Sequence, residues 1–247
     1  MIKDQKKIKV GRLSLGVMGG ESSFYIKRYN AFSLRYRIGS LLGLSGAIRS
    51  LRGAALLQSA RIPTATPVAA VESRVKGVLT KSFFITEEIC GGKTADAYWR
   101  EDLTGSRLPH LWQRRRNFLA GLASVFRSLH AAEIYHNDLK DANILAVPRP
   151  GELSQTFYLL DLEGVRRYNR LNEKRRIKNL VQINRTLGRY VSRSAKFYFL
   201  KSYLATESVD KRQAIRMIRI IKAESDRLDT VKRAKLSACL RQPRDKL

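Results

Sequence analysis

The sequence predicts an α+β fold in two lobes, a small antiparallel β-rich N-lobe followed by a mostly helical C-lobe. Three observations predict it. Short, partly alternating apolar runs dominate up to Thr86. Apolar residues at helical spacing dominate from Asn117 onward. Within the second part, short apolar runs end in two polar sets, His136-Asn137-Asp138-Leu139-Lys140-Asp141-Ala142-Asn143 and Asp161-Leu162-Glu163-Gly164. The 247 residues suit a single domain, and a hydrophobic content of 44% supports a core. The expected division is an N-lobe over about 1–88, a C-lobe over about 89–231, and a frayed basic tail over about 232–247.

In chain order, Ile8 to Val17 alternates partly and reads as a strand. Met18-Gly19-Gly20-Glu21 is a turn, and Phe24 to Tyr29 a second strand, so the pair forms a hairpin. Ala47 to Ala60 carries apolar residues at 47, 48, 51, 54, 55 and 57, one face of a helix. Ile62-Pro63-Thr64-Ala65-Thr66-Pro67 ends it, because proline cannot continue a helix. Val68 to Val71 and Phe83 to Thr86 read as two more strands, and Glu87 to Gly92 as a hinge between lobes. Phe118, Leu122, Val125, Phe126 and Leu129 predict a buried helix that leads through Leu129-His130 toward the first polar set. Ile134-Tyr135, Ile144 to Val147 and Phe157 to Leu160 read as small strands. Asn172 to Tyr190, Ala195 to Ala205 and Asp210 to Leu228 are further helices. There is no internal repeat and no low-complexity segment.

Composition narrows the setting. No apolar run reaches the length of a membrane span, and Met1 to Lys7 lacks the apolar core of a signal peptide. Cys90 and Cys239 match no metal or redox spacing, which suggests a reducing compartment. The expected location is therefore cytoplasmic. The formal charge of +27 attracts an anionic membrane surface, nucleic acid or an acidic substrate. Aromatic residues do not interleave with the basic runs as in an RNA-binding signature, so a nucleic-acid partner is not expected. Arg114-Arg115-Arg116 and Lys174-Arg175-Arg176 are the densest clusters, either solvated helix faces or membrane contacts.

The polar sets have the composition that phosphoryl transfer needs: a carboxylate beside the attacking hydroxyl, oxygen ligands for magnesium, and cations on the phosphates. Asp138 can be the carboxylate. Asn143, five residues later, and Asp161, eighteen further on, can be the ligands. Lys140 can face the transferred phosphate. Each alone is an ordinary turn residue; the ordered set points to a kinase-like phosphotransferase. The whole is a protein-kinase-like architecture, in which Lys27 occupies the position of the strand lysine that pairs phosphates. The other reading of Lys27 is a solvated residue on a half-buried strand.

Three departures bear on the substrate. No Ala-Pro-Glu follows Asp161, and 86 residues remain (247 minus 161), which leaves little room for a peptide-docking segment. The glycine usual two positions after the metal Asp is Glu163, as in small-molecule kinases. Glu163 is either a further carboxylate at the metal or half of a structural salt bridge. No Asp or Glu lies between Lys27 and Glu72, so the first helix offers Arg49 and Arg52, and Glu72 is the nearest carboxylate partner for Lys27.

Five segments then resemble a known family: Phe24 to Asn30, Arg61 to Pro67, Tyr135 to Leu139, Leu160 to Val165, and Lys196 to Leu204. They resemble the lipopolysaccharide core kinases, the Kdo/WaaP family, over Val10 to Leu204. The resemblance implies transfer of the γ-phosphate of ATP to a hydroxyl of Kdo or heptose in the inner core of lipid A-core. It implies work as a peripheral protein at the cytoplasmic face of the inner membrane, whose surface is anionic. By resemblance, Asp138 is the base, Asn143 and Asp161 are Mg2+ ligands, and Lys27, with hinge residues Glu87 and Ile89, binds the nucleotide. The family's phosphate-covering turn would here be Asp4-Gln5-Lys6-Lys7, without glycine. Two other readings are a small atypical protein kinase and a pseudokinase scaffold.

Overall fold

A computed structural model of the chain describes residues 3–4, 8–17, 20–30, 44–105, 110–204 and 211–241. Five N-lobe strands form one antiparallel sheet: β1 (Lys3–Asp4), β2 (Ile8–Val17), β3 (Gly20–Asn30), β4 (Pro67–Val75) and β5 (Val78–Glu87), in the order β1-β2-β3-β5-β4. The predicted hairpin is present, with β2 and β3 in register from Ile8↔Tyr29 to Val17↔Gly20. Its turn residues Met18 and Gly19, and Gln5-Lys6-Lys7 of the expected covering turn, lie outside the described residues. β4 and β5 run longer than their apolar centres suggest. They close through Lys76 (φ 49°) and Gly77 (φ 78°), two positive φ values that suit a tight hairpin.

Helix α1 (Gly46–Ser59) packs across the sheet. The Ser45 hydroxyl caps it by accepting from the Ile48 N–H at 3.2 Å. Its buried face is small: Gly46, Ala47, Ser50, Gly53, Ala54 and Leu57. Small residues permit close approach. A Cβ on Gly46 would lie 2.6 Å from the Tyr29 ring, and one on Gly53 would lie 2.3 Å from the Leu162 carbonyl oxygen. The helix therefore presses against both the lysine strand and the Asp161 turn.

The C-lobe begins with β6 (Lys93–Thr94) and helix α2 (Ala95–Asp102). The sequence pattern missed α2, because its eight residues bury only Ala95, Tyr98 and Trp99. Helix α3 (Leu111–Ala131) starts six residues before the periodic stretch that predicts it. Its first turns are arginine-rich yet packed: Arg115 donates to the Leu103 carbonyl at 2.7 Å, and Arg116 stacks over Tyr198 at 4.8 Å. The strands β7 (Ile134–His136), β8 (Ile144–Pro148), β9 (Gln155–Leu159) and β10 (Val165–Arg167) form a β6-β8-β9 sheet and a separate β7-β10 pair. Helices α4 (Glu173–Arg185), α5 (Arg193–Leu204) and α6 (Lys211–Arg241) complete the lobe.

The core is centred on α3. Phe118 stacks on Tyr98 at 5.7 Å and meets Phe157 edge to face at 5.1 Å, and Phe126 meets Phe199 at 5.7 Å. One expectation is overturned at the carboxy terminus. The segment from Lys232, read as frayed, continues α6 as helix to Arg241. Arg185 anchors the helix through Asp229 at 2.8 Å, and lysine, alanine and leucine beyond it favour helix. Residues 242–247 lie outside the described residues.

Candidate active site

The reactive loop is the connection from β7 to β8. His136 ends β7 fully buried, and its two ring nitrogens have different tasks. Nε2–H donates to the Leu160 carbonyl at 2.8 Å, while Nδ1 accepts the Asp138 N–H at 3.2 Å. The carbonyl can only accept, so the ring is the neutral Nε2–H tautomer. Burial holds its pKa below the ordinary value, against the Leu160 bond and the nearby Asp161 and Asp138 charges.

Asp138 is held from two sides. Lys140 Nζ lies 2.6 Å from Oδ2. The Asn143 amide donates to the Asp138 carbonyl at 2.7 Å and to Oδ2 at 3.0 Å. Both residues of the Asp138–Lys140 pair are about two-fifths exposed, so the contact orients more than it stabilises.

Beneath the loop is a polar network that sequence reasoning missed. Gln182 of α4 donates to the Asn137 carbonyl at 2.6 Å and accepts from the Leu139 N–H at 3.1 Å. Asn179, one turn earlier, donates to the His136 carbonyl at 2.6 Å and to Gln182 Oε1 at 2.9 Å. With both amide hydrogens engaged, Asn179 Oδ1 must accept, and His130 Nε2–H donates to it at 3.2 Å. His130 Nδ1 then accepts from the Tyr203 hydroxyl at 2.8 Å. The chain Tyr203 → His130 → Asn179 thus joins α5, α3 and α4 to the loop. Burial, opposed by the Asn179 bond, lowers the His130 pKa to about 4. The available signal was a pair of polar residues, 179 and 182, among the buried Leu180, Val181 and Ile183.

Asp161 follows β9 and starts the turn Leu162–Gly164. The Leu160 N–H donates to the Asn143 carbonyl at 2.9 Å, which fixes the turn to the loop. Asp161 adopts φ 59°, a left-handed conformation that Asp tolerates better than most residues. Its carboxylate pairs with Lys27 Nζ. Partial burial raises the Asp161 pKa, but the Lys27 charge and hydrogen bond, with Lys140, outweigh it and hold the carboxyl below its ordinary value. Burial likewise opposes the Lys27 charge, while Tyr29 and Asp161 outweigh it and raise that pKa. Lys27 shares its strand face with Tyr29, whose hydroxyl meets Ser50 of α1 at 2.7 Å. Arg28, on the other face, donates to Asn30.

Glu163, in the same turn, pairs with Arg49 of α1. A carboxylate partner for a cation on the first helix thus exists with the charges exchanged. Glu72 is not the partner of Lys27. It lies on β4 with Arg74 at 2.8 Å, two residues along the same strand face. At the hinge, Glu87 closes β5 and its N–H donates to the Thr66 carbonyl at 3.0 Å. The Glu88 N–H donates to the Ser23 carbonyl at 2.9 Å, and its carboxylate binds Arg12 at 2.7 Å. None of the described backbone bonds uses the Ile89 N–H. Among the described residues no three His, Cys, Asp or Glu side chains gather as a metal cage.

Comparison with known proteins gives the arrangement its family. The model of the lipopolysaccharide kinase (Kdo/WaaP) family matches residues 19–219. The chain belongs to that family. A solved structure described as WaaP in complex with acyl carrier protein superposes with a TM-score of 0.65, covering 91% of this chain and 89% of that one, at 19% identity. At that identity the likeness carries the fold, which is kinase-like. No curated protein matches. In this chain the Asp161 turn ties the lobes together, Asp161 pairing with Lys27 of β3 and Glu163 with Arg49 of α1. Among the described residues no helix is long and apolar enough to cross a membrane.

Proposed function

We propose that the protein transfers the γ-phosphate of ATP to a sugar hydroxyl, of Kdo or heptose, in the lipopolysaccharide inner core. The observation that carries this reading is the Asn143 amide gripping Asp138 while the same loop binds the Asp161 turn. Asp138 accepts the proton of the acceptor hydroxyl, and Lys140 balances charge at the transferred phosphate. Lys27 contacts the nucleotide phosphates, and the hinge at Glu87 and Ile89 receives the base.

The donor set fits magnesium. Asn143 engages Asp138 through its amide nitrogen, which leaves Oδ1 as an acceptor. Asp161 is ionised. Magnesium takes one or two protein oxygens and fills its octahedron with phosphate and water, so no carboxylate cage is needed. When bound, it neutralises charge on the phosphates. We assign Asn143 and Asp161 to it, and Glu163 to the pairing with Arg49 that sets helix α1.

The charge of +27 supports a peripheral site at the cytoplasmic face of the inner membrane, beside the anionic substrate. Acyl carrier protein, the partner in the solved relative, is a second proposed partner. An apolar cavity of about 380 Å3, lined by Leu122, Leu180, Phe199 and Ile221 together with Arg193 and Lys196, favours it. Copurification of the two proteins tests that partner. The test of the main reading is mass spectrometry of lipid A-core from a strain lacking the gene. Loss of one phosphate is expected, restored by the wild-type gene and not by Asp138→Asn. An unchanged phosphate count would overturn it.

A further inference from the structure

Beside Asp138 lies a patch that the transfer chemistry does not use. Tyr135 of β7 and Tyr168, just after β10, meet edge to face with ring centroids 6.5 Å apart. Each ring carries a cation: Lys178 Nζ lies 5.6 Å from the Tyr135 centroid, and the Arg175 guanidinium 4.1 Å from that of Tyr168. Arg166 stands opposite Tyr135 in the β7–β10 ladder and so shares its face. Arg166 and Lys178 are exposed.

Two contacts join this patch to the reactive loop. The Tyr135 hydroxyl reaches Asn137 Oδ1 at 3.4 Å, next to Asp138. Lys178 precedes Gln182 by one helical turn, and Gln182 holds the Asn137 carbonyl at 2.6 Å. Arg175, Lys178 and Gln182 therefore form a line along α4 that ends at the loop.

Among the described residues no carboxylate pairs with Arg166, Arg175 or Lys178. The nearby Glu133 is engaged by Arg176 at 3.7 Å and by the Leu171 N–H. The connection between β10 and α4 is short, residues 168–172, so the two elements present Arg166, Arg175 and Lys178 close together. Stacking on the rings restricts cations that would otherwise sample many rotamers, so they are placed before a ligand arrives.

We propose that Arg166, Arg175 and Lys178, braced on Tyr135 and Tyr168, bind the anionic substituents of the acceptor sugar and aim its hydroxyl at Asp138. The ligand class is a saccharide bearing phosphate or carboxylate groups, and arginine is suited to both. This inference rests on the acceptor proposed above and adds the residues that select it.

The experiment uses the full-length protein with Arg175→Ala, Lys178→Ala and the double variant, plus Lys178→Arg as the conservative control. Far-ultraviolet circular dichroism and thermal melts first check that each is folded. The direct readout is equilibrium binding of de-acylated inner-core oligosaccharide without nucleotide. The double variant should bind at least about tenfold more weakly, and Lys178→Arg should restore most of the Lys178→Ala loss. In steady-state assays the acceptor KM should rise with little change in the KM for ATP. The wild-type acceptor KM should also rise with salt more steeply than that of the double variant. Binding within twofold of wild type in the double variant, or no binding by wild type, would overturn the proposal. So would loss of sedimentation with anionic vesicles alone, which would reassign the patch to the membrane. If wild type binds the oligosaccharide through these residues but transfers no phosphate, the patch stands and the kinase reading fails.

Discussion

The loop of residues 137–143 and the outer edge of the N-lobe sheet are held in different ways. Gln182 of α4 donates to the Asn137 carbonyl, the Asp141 N–H donates to the hydroxyl of Thr186 just after α4, and Asn179 holds the strand end beside them. Behind Asn179 stand His130 of α3 and Tyr203 of α5. The outermost strand β1, by contrast, meets β2 at two residue pairs, Lys3↔Val10 and Asp4↔Lys9. Under the proposed function, Asp138 would be set before substrate arrives, and Lys27 with the hinge would hold the nucleotide. That arrangement suits the proposed reaction, since a base out of place costs much of the rate.

The strongest way to break this comparison is at the residue that joins both regions. Asp161→Ala should abolish transfer, or shift it to much higher magnesium, because a carboxylate on the metal is lost. Lys27 also loses its partner. A magnesium titration of initial rates reads this; an unchanged dependence would show that Asp161 is not a ligand. Asp138→Asn comes next. The amide keeps the shape but cannot accept the proton, so kcat should fall about a hundredfold to ten-thousandfold. ATP binding by calorimetry should stay near wild type. Transfer within threefold of wild type would remove Asp138 from the role of base.

Asn179→Ala separates support from chemistry. It leaves the His136 carbonyl and the His130 N–H without their partner in a buried site. Stability should fall by about 1–3 kcal/mol in urea unfolding, and kcat should fall with the acceptor KM less affected. A variant as stable and active as wild type would show that the loop does not need the network.

The network also fixes a pH response. His130 titrates at about 4 in the folded protein, below its ordinary value. Between about 4 and 6.5 the unfolded chain binds the extra proton, so stability is complete above 6.5 and is lost as pH falls toward 4. The contribution is about 3 kcal/mol at most, and His136, also lowered, acts in the same direction. Urea midpoints measured from pH 7.5 down to 4.5 should decline; a flat profile would contradict the neutral tautomers. Weakest of all should be removal of residues 1–4, which takes away β1. The KM for ATP should rise by roughly threefold or less, since a two-residue edge strand adds little. A much larger rise would mean that this edge covers the nucleotide after all.

Much of this was legible from sequence, because it is local. The α1 face repeats every three or four residues, Pro63 stops it, and β2 and β3 alternate across one turn. That Asp138 and Asn143 lie together, with the Asp161 turn bonded to their loop, follows from spacing along one stretch of chain. Helix α2 was not legible, since eight residues with three buried side chains carry too little periodicity. The continuation of α6 was hidden by its charge.

The pairings needed the tertiary structure. Lys27 meets Asp161 across 134 residues and Arg49 meets Glu163 across 114. Glu72, the first carboxylate after Lys27 in the sequence, belongs instead to Arg74. Hydrophobic periodicity tells which face of an element is buried but not which element it meets. That choice was made by packing, where Gly53 lets α1 reach Leu162 and so brings Arg49 to Glu163. Asn179 and Gln182 likewise look like misplaced polar residues on a buried helix face until the loop is folded over them. Only then do their hydrogen bonds have partners, and an unsatisfied buried amide is too costly for them to lie anywhere else.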